Sequence, residues 1–314
     1  MMITFLKIVG LSLCLNGPSF QTIAASAALQ EANHTIDSLY RNTPRSTTLS
    51  ERINAFSHAF LGKPYLLGAL GEGEQALYDQ MPLYRTDAFD CETYVDTVLA
   101  LALSHDLHSF QKIIRKIRYN QGQVSFITRN HFTCLDWNQH NQQQGFLRDI
   151  TPRFVDHDQR PVAKIATALI DKPAWYAHFS TEHIRLHQAT PDLIKQRLAS
   201  LKEAGAHLPR TVSSIPYLPL SALFDQNGHP NHHLFNQIPD AAIIEIIRPN
   251  WDLRDRIGTH LNVSHLGFAI KKQGGLYFRE ASTTSHVIDV SLIDYLRDAR
   301  NSPTIKGINV QVVK

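Results

Sequence analysis

The chain has 314 residues, of which 43% are hydrophobic and 19% are charged, a composition typical of a folded globular protein and unlike a disordered or fibrous one. Its formal net charge of +3 is too small to suggest a nucleic-acid-binding surface. The longest apolar run, Ile8–Leu15, is far shorter than the roughly 20 residues of a spanning helix, so no membrane span is predicted.

The N-terminus has the three parts of a secretory signal. Lys7 precedes the short apolar run, Asn16-Gly17-Pro18 interrupts it, and Ala25-Ser26-Ala27 supplies the small residues of a cleavage site. We therefore predict that residues 1–27 are removed and that the mature protein is periplasmic or secreted. Cys14 offers a lipoprotein alternative, but Leu13 before it is bulkier than the residue such a site requires.

The first predicted helices lie on either side of a glycine-rich loop. Thr48-Leu-Ser-Glu51 is a capping box, and apolar residues at helical spacing follow it as far as Gly62. After a loop over residues 62–73, the next helix begins near Asp90 and has apolar residues at the spacing of a buried face. Cys91 therefore lies in the first turn of a core helix.

The rest of the chain changes from helices to strands. A helix over residues 110–117, a short strand over 123–128 and a capped helix over 190–205 precede a long irregular connection, 206–240. Four strands follow, at 241–247, 263–270, 276–282 and 307–313, with a hairpin turn between the middle two. This order predicts one α+β domain, residues 28–314, with an antiparallel sheet, helical and loop insertions, and a helical lead-in over about 28–61.

Three residues have the pattern of a nucleophile, its base and a group that orients the base. Cys91 lies at the positive end of a helix dipole, which favours the thiolate. His265 stands in an otherwise apolar strand, and Glu280 shares a face of the next strand with apolar residues. A hydrogen bond between them would satisfy both. The alternatives are a buried structural cysteine, a structural histidine and a solvent-exposed glutamate.

Motifs around these residues resemble those of NlpC-type, papain-like cell-wall cysteine hydrolases: Gly62-Lys-Pro-Tyr65, Phe89-Asp-Cys-Glu-Thr-Tyr-Val95 and Ser264-His-Leu-Gly-Phe268. Further motifs resemble its N-acetylmuramoyl-L-alanine amidase-like family: Ile117-Arg-Tyr119, Arg129-Asn-His-Phe132, Asp136-Trp137 and Tyr277-Phe-Arg-Glu-Ala-Ser282. The resemblance implies a papain-like core whose nucleophile helix packs on the antiparallel sheet. It also implies an acyl-enzyme at Cys91, proton transfer by His265, and no cofactor.

The resemblance also implies which residues contact the substrate, a peptidoglycan fragment cut between N-acetylmuramic acid and L-alanine. Tyr65 matches the tyrosine beside the nucleophile. Arg129, His131, Trp137 and Asn138 fall in the loop motif, where Arg suits a carboxylate and Trp a sugar face. A loop that only braces the nucleophile helix is the alternative. Relatives usually carry His where this chain has Glu280, which leaves the orienting role open.

Rival functions follow from the same residues. The fold and chemistry also suit an endopeptidase that cuts within the stem peptide, and the substitution at Glu280 suits an inactive muropeptide-binding protein.

Two histidine-containing groups offer metal ligands, but neither has the spacing of a usual zinc motif, and no metal is predicted: His131, Cys134 and His140, and His229, His232 and His233. Cys91 and Cys134 could pair in an oxidising compartment, but we expect Cys91 to stay reduced.

Overall fold

The computed structural model describes residues 18–43 and 47–314, and within them the protein is an α+β structure. The predicted signal segment lies outside the described residues as far as residue 17. Its remaining residues belong to the first helix. The helices are α1 Pro18–Asn42, α2 Leu49–Ala59, α3 Cys91–Ala102, α4 Leu107–Arg118, α5 Asn138–Gln143, α6 Lys172–Ala177, α7 Pro191–Ala206, α8 Leu220–Leu223, α9 His232–Asn236, α10 Arg254–Ile257 and α11 Leu292–Ala299.

Eight strands form a sheet in which every described pairing is antiparallel, as the sequence predicts. They are β1 Leu147–Asp149, β2 Lys164–Asp171, β3 Arg210–Pro219, β4 Ala242–Asp252, β5 His260–Lys272, β6 Gly275–Ala281, β7 Val287–Ser291 and β8 Gly307–Val313. The strand order is β2-β3-β8-β4-β5-β6-β7, with β1 paired to β8. Strands β4, β5 and β6 are therefore consecutive neighbours in the sheet.

The two faces of the sheet carry separate apolar layers. Leu266, Phe268 and Ile270 of β5 alternate with polar or small residues and pack against α1 to α4. The opposite face, with Ala269 and Phe278, packs against α8, α9 and α11. Helix α3 is buried along nearly its whole length, which fixes the position of its first residue, Cys91.

Several elements differ from the sequence prediction. The strand predicted over residues 123–128 is wrong, because Ser125 and Thr128 bond to each other at 2.8 Å and close a turn in place of a ladder. The connection predicted as irregular contains β3, α8 and α9. Strand β3 pairs with β2, which the sequence pattern does not predict because two of its three buried positions are the small residues Ala166 and Ala168. Among the described residues, no helix is both long and apolar enough to cross a bilayer.

Candidate active site

Cys91 is the first residue of α3, and a capping box fixes the start of this helix. The Asp90 carboxylate accepts from the Thr93 N–H at 2.8 Å, and the Thr93 hydroxyl accepts from the Asp90 N–H at 3.0 Å. The second Asp90 oxygen accepts from the Gly68 N–H at 3.0 Å, which ties the glycine-rich loop to the helix. The half-buried thiol therefore lies at the positive end of the helix, beside that loop.

His265 and Glu280 lie on adjacent strands beyond the point where those strands pair. The β5–β6 pairing ends at Phe268 and Arg279, while His265 pairs with β4 and Glu280 with β7. The His265 ring Nε2–H donates to the Glu280 carboxylate across this gap. Gly267 permits the close approach of the strands, because a Cβ there would lie 2.5 Å from the Arg279 carbonyl oxygen.

The electrostatics of His265 link it to Cys91. Burial disfavours the charged ring, but the negative charge of Cys91, a side-chain hydrogen bond with Cys91 and the bond to Glu280 outweigh burial and raise the His265 pKa to about 10. Since Nε2 faces Glu280, the other ring nitrogen, Nδ1, is the one left for the thiol. The arrangement keeps the His265 ring protonated at neutral pH, with Nδ1 available to the Cys91 sulfur.

Two acids near Cys91, Glu92 and Asp96, carry less negative charge at neutral pH than exposed carboxylates would. Burial and the charges of Asp96 and Asp90 raise the pKa of Glu92 well above its usual range. Burial likewise raises the pKa of Asp96 to about 7, although Arg118 and a 2.7 Å hydrogen bond from Trp137 Nε1 favour its charge. These raised pKa values reduce the negative charge beside the Cys91 sulfur.

Two tyrosines flank the three groups. Tyr65 is half-buried, and its pKa is raised by burial and by the charges of Cys91, Asp90 and Glu280. Tyr295 of α11 has a pKa raised by burial and by Glu280 and Cys91, and its ring packs on Phe278 at 5.2 Å. The sequence motifs include Tyr65 but not Tyr295, whose only signal was its place beside the apolar face of a short helix.

Arg129 and His131 are both already bonded within the protein, and Arg129 reaches the glycine-rich loop. Arg129 Nε donates to the Glu72 carboxylate at 2.7 Å, and its NH2 group contacts both Glu72 and, at 3.1 Å, Asp79. His131 Nε2–H donates to the Phe126 carbonyl at 2.7 Å. Burial and the charge of Arg129 lower the His131 pKa well below its usual range. The Arg129 contacts brace the loop, and a substrate role for either residue stays a prediction.

Trp137 and Asn138 are both buried in this structure, and their contact with the substrate stays a prediction. Trp137 has no exposed surface, so its ring is not available to a sugar. Asn138 is buried and bonds through its amide to Glu245 at 3.0 Å and Gln311 at 2.7 Å. Both residues follow a π-helical turn, Thr133–Trp137, whose local winding the sequence pattern did not reveal.

Neither the second cysteine nor the histidines form the alternative sites. Cys91 and Cys134 are both free, and Cys134 is buried with its carbonyl accepting from the Ser213 hydroxyl at 3.1 Å. Burial raises the Cys134 pKa, which makes it a poor nucleophile. Within residues 18–43 and 47–314, no group of three or more His, Cys, Asp or Glu side chains could hold a metal ion.

Comparisons with known proteins agree with the fold. The family model described as N-acetylmuramoyl-L-alanine amidase-like matches residues 55–305. The crystal structure of protein LPG0564 from Legionella pneumophila str. Philadelphia 1 is similar with a TM-score of 0.90 and 52% identity, over 92% of this chain and 96% of that one. An N-acetylmuramoyl-L-alanine amidase from Bacteroides uniformis ATCC 8492 is similar in fold, with a TM-score of 0.57 and 23% identity, over 85% and 99%. No curated protein matches the sequence.

Proposed function

The chain belongs to the N-acetylmuramoyl-L-alanine amidase-like family, and we propose that it is a cysteine amidase with a papain-like core that hydrolyses the bond between N-acetylmuramic acid and L-alanine in peptidoglycan fragments. One observation carries this proposal. A half-buried cysteine begins a core helix, and the histidine that interacts with it donates its other ring N–H to a buried carboxylate.

In the acylation step, the Cys91 thiolate attacks the lactyl carbonyl carbon of the muramic acid. The carbonyl oxygen becomes an oxyanion, and the His265 imidazolium gives its Nδ1 proton to the departing L-alanine nitrogen. The C–N bond breaks, and a thioester joins the glycan to Cys91. The raised pKa of His265 keeps this proton available at neutral pH.

The start of α3 offers donors for the oxyanion. The N–H groups in the first turn of a helix have no partner within the helix, and among the described residues nothing accepts from the Cys91 N–H. The Tyr65 phenol, which interacts with the Cys91 charge, is the second donor we assign. A donor of this kind contributes about 3 to 4 kcal/mol to transition-state stabilisation.

In the deacylation step, neutral His265 accepts a proton from water, and the resulting hydroxide attacks the thioester. The glycan leaves with a free lactyl carboxylic acid, which then loses its proton to solvent, and the imidazolium and thiolate are restored. The hydrogen bond to Glu280 holds the ring orientation through both steps and stabilises its charged form.

The proposal is tested by incubating the purified protein with a defined muropeptide and weighing the products. Release of the intact stem peptide together with the glycan acid supports the amidase. Shortened stems would assign the endopeptidase reaction, and binding without turnover would assign a muropeptide-binding protein. Cys91→Ala is expected to abolish turnover and keep the fold, whereas Cys134→Ala is the matched control and should remain active.

We also propose that the protein acts after export, with cleavage after Ala27. The packing of α1 supports this assignment, because Ala32 and Ile36 are fully buried in the core and Leu29 and Leu39 pack beside them. Cleavage would leave these residues in the mature chain. The intact mass of protein from the periplasmic fraction should match residues 28–314, and a mass that retains residues 1–27 would contradict the assignment.

A further inference from the structure

Beside the candidate active site, β4 contains an irregular segment that aims a guanidinium group. Its pairing with β5 runs from Ile247 opposite Val263 to Trp251 opposite Leu261, so three residues, 248–250, stand opposite the single residue Asn262. Bulges of this kind re-aim side chains and are frequent next to active sites.

Buried contacts hold this bulge in shape. Asn250 has a left-handed backbone with φ 48°, and its N–H donates to the side-chain oxygen of Asn262 at 3.1 Å. Asn262 is fully buried and bonds onward to the Ser213 carbonyl at 3.3 Å. The bulge is thus a fixed feature of the sheet, supported from β3.

The side chain that this bulge presents is Arg248. Its guanidinium lies over the Trp251 ring, 4.5 Å from the ring centroid, and one terminal nitrogen donates to the Thr304 hydroxyl. Its Nε is buried without a hydrogen-bond partner, and across the described part of the chain no carboxylate lies within salt-bridge distance of Arg248. A guanidinium has five N–H donors, so most of its bonding capacity is unused.

Register places Arg248 next to the catalytic groups. Ile246 pairs with His265, and directly paired residues share a face of the sheet. Arg248 lies two residues further along β4, beyond the register shift at Ile246 and Ile247, roughly 7 Å from Ile246 along the strand. On this face Tyr295 packs on Phe278, which packs on the His265 ring at 5.6 Å. The Tyr295 pKa responds to the charges of Glu280, Arg248 and Cys91, which agrees with this proximity.

We propose that Arg248, held flat against Trp251, binds a carboxylate on the stem peptide of the substrate, at the second residue from the scissile bond. This inference rests on the proposed function. Two extended residues span about 7 Å, which matches the offset of Arg248 along β4. Guanidinium and carboxylate bond bidentately, and the planar group that Trp251 orients is suited to that geometry.

The test uses two N-acetylmuramoyl tripeptides whose γ-linked glutamate, the second stem residue, has its α-carboxylate either free or converted to a carboxamide. The C-terminal carboxylate is amidated in both. The kcat and KM values are measured for the wild type and Arg248→Gln. Arg256→Gln, which removes the same charge from an exposed position in α10, is the matched control.

The wild type and the control should prefer the free carboxylate by about 10- to 100-fold in kcat/KM, mostly through KM, and Arg248→Gln should lose the preference. A wild type without preference, or an Arg248→Gln variant that keeps it, would overturn the proposal. Arg248→Lys keeps the charge but not the two parallel N–H donors, so its preference in kcat/KM should lie between those of the wild type and Arg248→Gln. Thermal unfolding checks that each variant is folded.

A second readout separates this inference from the proposed reaction. Dissociation constants for the two tripeptides are measured by calorimetry in the Cys91→Ala background, with and without Arg248→Gln. A carboxylate preference that depends on Arg248 supports the subsite even if wild-type products show that the bond cleaved is a different one. Equal binding of the two tripeptides would refute the subsite even if the amidase reaction is found.

Discussion

Two regions beside Cys91 carry polar side chains, and they differ in how many of their hydrogen-bonding groups are already used. In the loop region, residues 62–83 and 129–138, Arg129, Trp137 and Asn138 are bonded to buried partners of the same chain. In the sheet region, the ends of β4 to β6, Arg248 has unused donors. Residue type alone therefore does not identify a ligand contact. The unused bonding capacity of a side chain is the more informative property.

The largest expected effect concerns the stability of the loop region. Arg129→Gln leaves the almost fully buried Glu72 without its cation, whereas Asp79 keeps its ion pair with Arg185. Removing one member of a buried ion pair costs about 3 to 5 kcal/mol, and we expect a loss of that size in urea unfolding. Arg248→Gln, with a single hydrogen bond to lose, should cost about 1 kcal/mol. Equal losses would erase the distinction between the two regions.

Within the sheet region, Glu280→Ala is expected to lower kcat by a factor of roughly 10 to 1,000 with little change in KM, because it disturbs the His265 ring and not the binding surface. Glu280→His should keep much of the activity, since imidazole can also accept the ring N–H. Glu280 raises the His265 pKa, so its loss should move the alkaline limb of the kcat profile to lower pH.

Full activity and an unchanged pH profile in Glu280→Ala would assign the orienting role to another group. Asp289 is an unsuitable candidate because Arg279 bonds to both its oxygens, at 2.6 and 2.8 Å. His286, which lies just beyond β6, would be examined next.

A smaller effect is expected for Trp137→Phe, which tests whether Trp137 stabilises the fold or contacts the substrate. Trp137→Phe removes the donor to the buried Asp96 carboxylate and should cost about 1 to 3 kcal/mol of stability. Its KM should not change, because Trp137 has no exposed surface. Chemical denaturation and steady-state kinetics on one preparation provide both numbers. A raised KM without a stability loss would restore the sugar contact that the motif suggested.

The smallest expected effect is at Trp251. Trp251→Ala leaves Arg248 without the ring that orients it, and we expect KM for the free-carboxylate tripeptide to rise about 2- to 5-fold, the size of an exposed cation–π contact. The carboxamide tripeptide is the internal control and should show no rise. An equal rise for both substrates would assign Trp251 to general packing.

The elements that the sequence predicted well have strong local signals. The capping box at Thr48 and the apolar face that follows Cys91 specified α2 and α3, and alternation specified β4, β5, β6 and β8. Strands β2 and β3 depend on each other for pairing, and the small buried residues of β2 give a weak pattern. Local hydrogen bonds at Ser125 and Thr128 replaced the strand that alternation indicated there.

For the site, the sequence predicted residue types better than it predicted their partners. His265 and Glu280 are in contact, because the period of two constrains strand faces. The partners of Arg129, by contrast, come from residues 50 to 57 positions away along the chain, which no local pattern reveals. Arg248 and Trp251 were missed because the bulge that joins them results from tertiary packing on Asn262.

The most direct test of the central claim is the intact mass of the wild-type protein, quenched in acid within the first turnovers on a defined muropeptide. The mechanism predicts an adduct with the mass of the glycan and its lactyl acyl group, mapped by peptide digestion to Cys91 and absent from Cys91→Ala. An adduct with the mass of a stem-peptide fragment, an adduct on Cys134, or turnover by Cys91→Ala would contradict it.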